Sequence, residues 1–268
     1  MNALKHQIGL IIIGDEILSG KRQDKHMAKV IEIVRARGLQ LAWCEYLGDD
    51  SERCTATFAR TFAWARAAPE SRIVFSCGGI GATPDDHTRQ CAAAALGVSL
   101  QIHPEAEVAI RLRSAEAKLE ITPQRLEMGN FPLGSAIIPN SYNRIPGFAI
   151  ASHYFVPGFP VMAWPMVEWV LDTHYLAWHH QTPHAERAML VYGIGESQVI
   201  ELMKEIEARW GVTAFSLPSI GGDGKKPHIE LGCKGAPVAV EGAFARLVEG
   251  VKALGVEPEV LVSAGDGR

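Results

Sequence analysis

The chain has 268 residues, enough for two domains with separate cores, and at 47% hydrophobic and 21% charged residues it is not composed like a disordered polypeptide. A formal net charge of −4 argues against nucleic acid or an anionic membrane as the main partner. The five scattered cysteines lack C-x-x-C spacing, no apolar run approaches the roughly twenty residues that span a bilayer, and the N-terminus has no signal-peptide succession, so a cytoplasmic protein with reduced thiols is expected.

Residues 7–13 form a continuous apolar run that ends in Gly14-Asp15-Glu16, and Asp24 to Arg37 carries apolar residues at helical spacing. A second strand is predicted over Gln40–Leu47, ending in Gly48-Asp49-Asp50, and a second helix over Asp50–Arg66. A third strand, Arg72–Ser76, leads into Cys77-Gly78-Gly79-Ile80-Gly81-Ala82-Thr83-Pro84-Asp85-Asp86-His87-Thr88 and a helix from Asp86 to Leu96. Strands that are apolar on both faces and alternate with helices predict an α/β fold built on a parallel sheet.

In such sheets ligands collect at the carboxyl ends of the strands, and here all three strands end in glycines and carboxylates. Gly78, Gly79 and Gly81 allow left-handed backbone and close approach of a ligand, so free N–H groups of the loop can meet phosphate oxygens. The spacing matches neither the dinucleotide fingerprint nor the Walker loop. A turn running into an acidic helix start competes with this reading, as does helix capping for Asp49 and Asp50. The convergence of three such ends favours a site.

Residues 104–128 read as helical and then irregular, and 129–160 as loops and short strands beside the sheet. A helix over Met162–Trp178 closes the first domain, assigned to residues 1–180. A small α+β domain follows over residues 181–268: strand Glu186–Tyr192, helix Glu196–Trp210, strand Val212–Leu217, a turn at Gly221–Gly224, strand Pro227–Cys233 and helix Val238–Leu254, with a frayed tail from Ser263. From residue 186 onward nine basic residues face twelve acidic ones, a poor footprint for RNA. Gly221-x-x-Gly224 with Lys225-Lys226 is similar to a KH nucleic-acid loop but links two strands, which reads as a hairpin. His174, His179, His180 and His184 lack ligand spacing, and Trp164, Trp169 and Trp178 read as a packing or subunit face.

Ile13-Gly-Asp-Glu-Ile-Leu-Ser-Gly20, Val74 to Thr88 against T-G-G-L-G-P-T-x-D-D-x-T, and Val156-Pro-Gly-Phe-Pro-Val-Met162 against L-P-G-V-P-x-E-M together carry a resemblance. The chain resembles the CinA-like (competence/damage-inducible protein A) branch of the molybdopterin-binding, molybdenum-cofactor-biosynthesis family, whose α/β domain is followed by a small KH-type domain. Departures are Ala82 for the usual proline, Val161 for the acidic residue before Met162, and Asn143-Arg144 within Asn140-Ser-Tyr-Asn-Arg-Ile-Pro146-Gly147, where the family has N-x-x-G-T-A-P-G. The amidohydrolase activity of longer members is not expected of this chain.

The resemblance implies chemistry at a pyrophosphate, either hydrolysis of ADP-ribose-like dinucleotides or adenylyl transfer to molybdopterin; the altered Asn143-Arg144 loop sets against these a protein that binds molybdopterin or a nucleotide without turnover. The resemblance implies Asp49 and Asp86 as catalytic, metal-associated aspartates with Asp85 as an outer ligand, and Mg²⁺, Mn²⁺ or Co²⁺ as the cation, in keeping with hard oxygen ligands. It further implies Gly14, Asp15, Glu16, Gly78, Gly79, Gly81, Thr83, Thr88, Asn140, Pro146 and Gly147 beside a nucleotide or pterin ligand, and a homo-oligomer of two or three copies.

Overall fold

The computed structural model describes residues 6–181, 185–221 and 226–261, and the chain divides into two compact units, 2–179 and 180–268 together with Met1. In the first unit β1 (Gln7–Ile13) is followed by the short α1 (Asp15–Leu18), α2 (His26–Arg35), β2 (Leu41–Leu47), α3 (Ser51–Arg66) and β3 (Arg72–Cys77). Then come α4 (Thr88–Leu96), β4 (Leu100–Ile102), α5 (Pro104–Glu116), α6 (Pro123–Glu127), β5 (Asn130–Pro132), β6 (Ala136–Ile138), β7 (Gly147–Ile150), β8 (His153–Val156) and α7 (Pro160–His174).

Six strands form one sheet in the order β2-β1-β3-β8-β7-β6. The first four run parallel, and β7 and β6 are added antiparallel at one side. Residues 129–160, expected to lie beside the sheet, therefore supply three of its strands. Alternation along β1 explains why the sheet is covered twice. Ile8, Leu10 and Ile12 join a core with Val30 and Val34 of α2 and Met166 and Val170 of α7, whereas Ile11 and Ile13 join a second core with Phe58 and Phe62 of α3 and Cys91 of α4. Trp164, Trp169 and Trp178 pack against the first of these cores.

Local chemistry sets the element ends. Asp24 accepts the amides of His26 (2.7 Å) and Met27 (3.1 Å), so α2 starts two residues after the expected point. Asp50 caps α3 by accepting the amide of Arg53 at 2.8 Å. The predicted start of α4 at Asp86 is corrected to Thr88, because Asp86 turns back on Thr83 instead of entering the helix.

The second unit is an antiparallel sheet in the order β10 (Thr213–Ser219), β11 (His228–Gly235), β9 (Ala185–Tyr192), β12 (Glu259–Val260), with α8 (Ile200–Trp210) and α9 (Pro237–Ala253). Met189, Val191, Ile206, Leu231, Val240, Phe244 and Leu247 form its core. β10 and β11 pair from Thr213↔Lys234 to Ser219↔His228; the expected turn at Gly221–Gly224 and the tail from Ser263 lie outside the described residues, apart from Gly221. Among the described residues no helix is long and apolar enough to cross a membrane.

Candidate functional site

β1, β2 and β3 are parallel neighbours, so the segments that follow them emerge at one edge of the sheet. The first two are joined there by a reciprocal pair of bonds. The amide of Asp15 donates to Asp49 Oδ2 at 2.9 Å, and the amide of Asp49 donates to Asp15 Oδ1 at 3.2 Å. Each carboxylate thus fixes the other's loop and keeps its second oxygen out of that pair.

Asp15, Glu16 and Asp49 line a cleft of about 600 Å³, and Asp85 reaches it from the third strand's loop. Leu18, Ser19 and Lys21 complete the lining. Burial holds the Asp49 carboxyl above the usual carboxylate range, against the lowering effect of the Asp15 amide, and the charges of Asp15, Asp85 and Glu16 raise it further. Asp85 is held below that range, chiefly by the Thr83 hydroxyl.

Asp86 departs from its expected place. It does not line the cleft; its Oδ2 accepts the Thr83 amide at 2.8 Å and the Thr83 hydroxyl, which closes the loop on itself. Gly78 and Gly79 have φ of 111° and 66°, and both are forced by packing within the protein. A Cβ on Gly78 would lie 2.2 Å from the Ile13 carbonyl oxygen, and one on Gly79 would lie 2.3 Å from Thr88 Oγ1. Thr88 donates its hydroxyl to the Gly78 carbonyl (3.0 Å) and its amide to that of Gly79 (3.0 Å), so it is a strut of the loop. The backbone N–H groups of Gly79, Ile80, Gly81 and Ala82 make no hydrogen bond to any described residue.

Asn140, Pro146 and Gly147 are not brought to this cleft. Asn140 is buried, donates to Asn143 Oδ1 (2.8 Å) and the Ile145 carbonyl (2.9 Å), and accepts the Tyr142 amide (3.0 Å). These bonds hold its own loop and leave the side chain little capacity for a ligand. Asn140 and Pro146 line a separate, more apolar groove of about 540 Å³ with Val108 and Leu112 of α5. Gly147 is buried in β7, where a Cβ would lie 2.2 Å from the Phe155 carbonyl oxygen.

Two functional supports are absent from the sequence reading. Among the described residues Lys21 is the one cation lining the cleft, and its place just after the Gly14–Gly20 stretch is the signal in the sequence. Arg89 is 4% exposed and donates to the carbonyls of Gly81 and Glu127, pinning the glycine loop from below. Burial lowers its pKa, while Asp86 and Glu127 raise it. An arginine amid the small residues of α4 gives no periodicity signal. The Val156–Met162 stretch is also structural: His26 Nε2 donates to the Gly158 carbonyl at 2.9 Å, and Gly158 packs against the Gly78 backbone.

Residues 9–176 match the family described as probable molybdopterin binding domain. The chain belongs to that family. A CinA-like protein of Syntrophotalea carbinolica is 28% identical over 210 residues, covering 76% of this chain and 50% of that one. A CinA-like protein of Anaeromyxobacter sp. is 29% identical over 205 residues, covering 75% and 48%. The chain thus spans about half the length of these curated relatives. Among solved structures, the CinA protein of Thermoplasma acidophilum, described as of unknown function, aligns with a TM-score of 0.53 at 25% identity over 62% of this chain and 97% of its own. The family domain coincides with the first unit and contains the whole carboxylate cleft.

Among the described residues no group of three or more His, Cys, Asp or Glu side chains is arranged as a ready metal cage, His174, His179 and His180 included; His184 lies outside the described residues. The donor set fits a different mode. A magnesium-type ion commonly takes one or two protein carboxylates together with substrate phosphate oxygens and water, and Asp15, Asp49 and Asp85, which all line the cleft, carry hard oxygens of that kind.

Proposed function

We propose that the cleft binds the pyrophosphate of a nucleotide together with a divalent cation, Mg²⁺, Mn²⁺ or Co²⁺, and that the protein is a pyrophosphatase acting on ADP-ribose or a related dinucleotide. The observation that carries this reading is the reciprocal Asp15–Asp49 bond, which presents two carboxylates from adjacent strands to one cleft with Asp85 and Lys21. A cation held by Asp49 and Asp15 would offset phosphate charge. The chain's own part is to bind and orient. Lys21 attracts phosphate oxygens, the N–H groups of residues 79–82, without a partner among the described residues, are free to donate to an anion, and Glu16 stands ready to receive a proton from the attacking water. Hydrolysis forms one bond from water oxygen to phosphorus and breaks the bridging P–O bond, which gives AMP and ribose 5-phosphate from ADP-ribose.

A second reading, a protein that holds molybdopterin or a nucleotide without turnover, draws support from Asp86 and Asn140. Both side chains are engaged in their own loops. Incubation with ADP-ribose and each cation, with AMP measured by chromatography, separates the two. AMP formation that Asp49→Asn abolishes supports hydrolysis; saturable binding by calorimetry without AMP supports the second reading.

A further inference from the structure

Cys54 and Cys91 sit in the first turns of α3 and α4, just past the two loops that carry Asp49 and Asp85. Both are 2% exposed and belong to the same core. Their sulfurs lie against the same four-residue stretch, Gly48 to Ser51. Cys54 Sγ lies 3.5 Å from the Gly48 carbonyl oxygen in the loop after the second strand, and Cys91 Sγ 3.3 Å from that of Ser51, the first residue of α3. Ala92 to Ala95 follow Cys91, so small side chains let the two helices approach closely. The other three cysteines, Cys44, Cys77 and Cys233, have no such arrangement, and Cys77 and Cys233 are buried in other cores.

We propose that Cys54 and Cys91 are a reversible thiol–disulfide pair that ties the starts of α3 and α4 together behind the carboxylate cleft. The oxidant is a hydroperoxide small enough to enter during local opening. Cys91 sulfur attacks the O–O bond, an S–O bond forms, the O–O bond breaks, and the leaving oxygen departs as water or alcohol with the thiol proton. Cys54 sulfur then attacks Cys91 sulfur, the S–S bond forms, the S–O bond breaks, and a second water leaves. Two thiols are oxidised by two electrons in total and the peroxide is reduced by two; a dithiol reverses the bond by exchange. The neighbouring Cys54 thiol holds the pKa of Cys91 below the usual thiol range and makes Cys91 the better nucleophile, while Cys54 is raised by Cys91 and by burial. Because both thiols now contact the Gly48 and Ser51 carbonyls, bond formation alters the seat of Asp49.

The inference does not require the proposed pyrophosphatase, and its test reads neither activity nor cation binding. The native protein is treated with hydrogen peroxide, quenched, unfolded, alkylated and digested. A loss of 2 Da, a cross-linked peptide pair containing Cys54 and Cys91, and recovery with dithiothreitol are expected, and both Cys54→Ala and Cys91→Ala abolish the loss. Amide exchange at residues 48–51 and 79–87 is expected to slow at least about threefold in the oxidised form. Full alkylation of both thiols after peroxide, over-oxidation of Cys91 with Cys54 left free, or unchanged exchange in a cross-linked sample would overturn it.

Discussion

Asp49 carries a carboxyl whose pKa is raised by burial and by three neighbouring carboxylates. The folded protein therefore holds that proton more tightly than the unfolded chain, so the group favours folding at acid pH and loses that contribution as pH rises through its folded value. At neutral pH it is a net cost. Asp49→Asn, which can still accept the Asp15 amide, should raise the melting temperature of the cation-free protein at pH 7, and under the proposed function Mn²⁺ is expected to stabilise the wild type and not this variant. Thermal unfolding of both proteins with and without Mn²⁺ checks it. His153 behaves in the opposite sense. It is fully buried, its Nδ1 donates to the Ala151 carbonyl and its Nε2 lies 2.9 Å from Thr61 Oγ1, and burial lowers its pKa to about 4. Its contribution is present above the unfolded value near 6.5 and is lost as pH falls from there to about 4, a change of about 3 kcal/mol. His153→Gln should flatten that part of the pH–stability curve in urea titrations.

At the scale of elements, the hairpin joining β7 to β8 turns on Ala151 and Ser152, both at positive φ (50° and 60°). That is the conformation of type I′ turns, in which Asn-Gly is preferred. Replacing Ala151-Ser152 by Asn-Gly should stabilise the protein by about 1 kcal/mol, read as a shift in denaturation midpoint without a change in slope. The glycine loop has the reverse constraint. Gly79→Ala would combine strained φ with displacement of the Thr88 hydroxyl, for a loss of about 2–3 kcal/mol in unfolding free energy. Periodicity and strand-end composition made β1 to β3, α3 and the acidic edge legible, since each repeats a local pattern that burial then satisfies. A two-residue Asp pair does not show which carboxylate faces the cleft; the Thr83 amide, three residues away, engages Asp86 and leaves Asp85 to line it. Asn140 and Gly147 were assigned by resemblance alone, and their burial depends on contacts with Ile145 and Phe155 that no spacing reveals. The two-residue β12 is too short to give a pattern.

For the whole molecule, each unit has its own hydrophobic core: the first unit is covered on both faces of its sheet, and the second is built on Met189, Leu231 and Phe244. Residues 1–180 expressed alone should therefore fold cooperatively and keep the cleft, since all its lining residues precede residue 86. A fragment without a cooperative thermal transition would show that the two cores stabilise each other. The way the cleft is built also bears on how such a protein changes over generations. Asp15 and Asp49 grip each other's main chain through oxygens that an amide side chain supplies equally well. If the cleft hydrolyses pyrophosphate as proposed, a single charge-removing change there would silence the chemistry while the loops stay in register, and recognition would outlive turnover. Descendants of one ancestral scaffold can in this way become carriers or sensors by a nucleotide substitution, with no rebuilding of the framework.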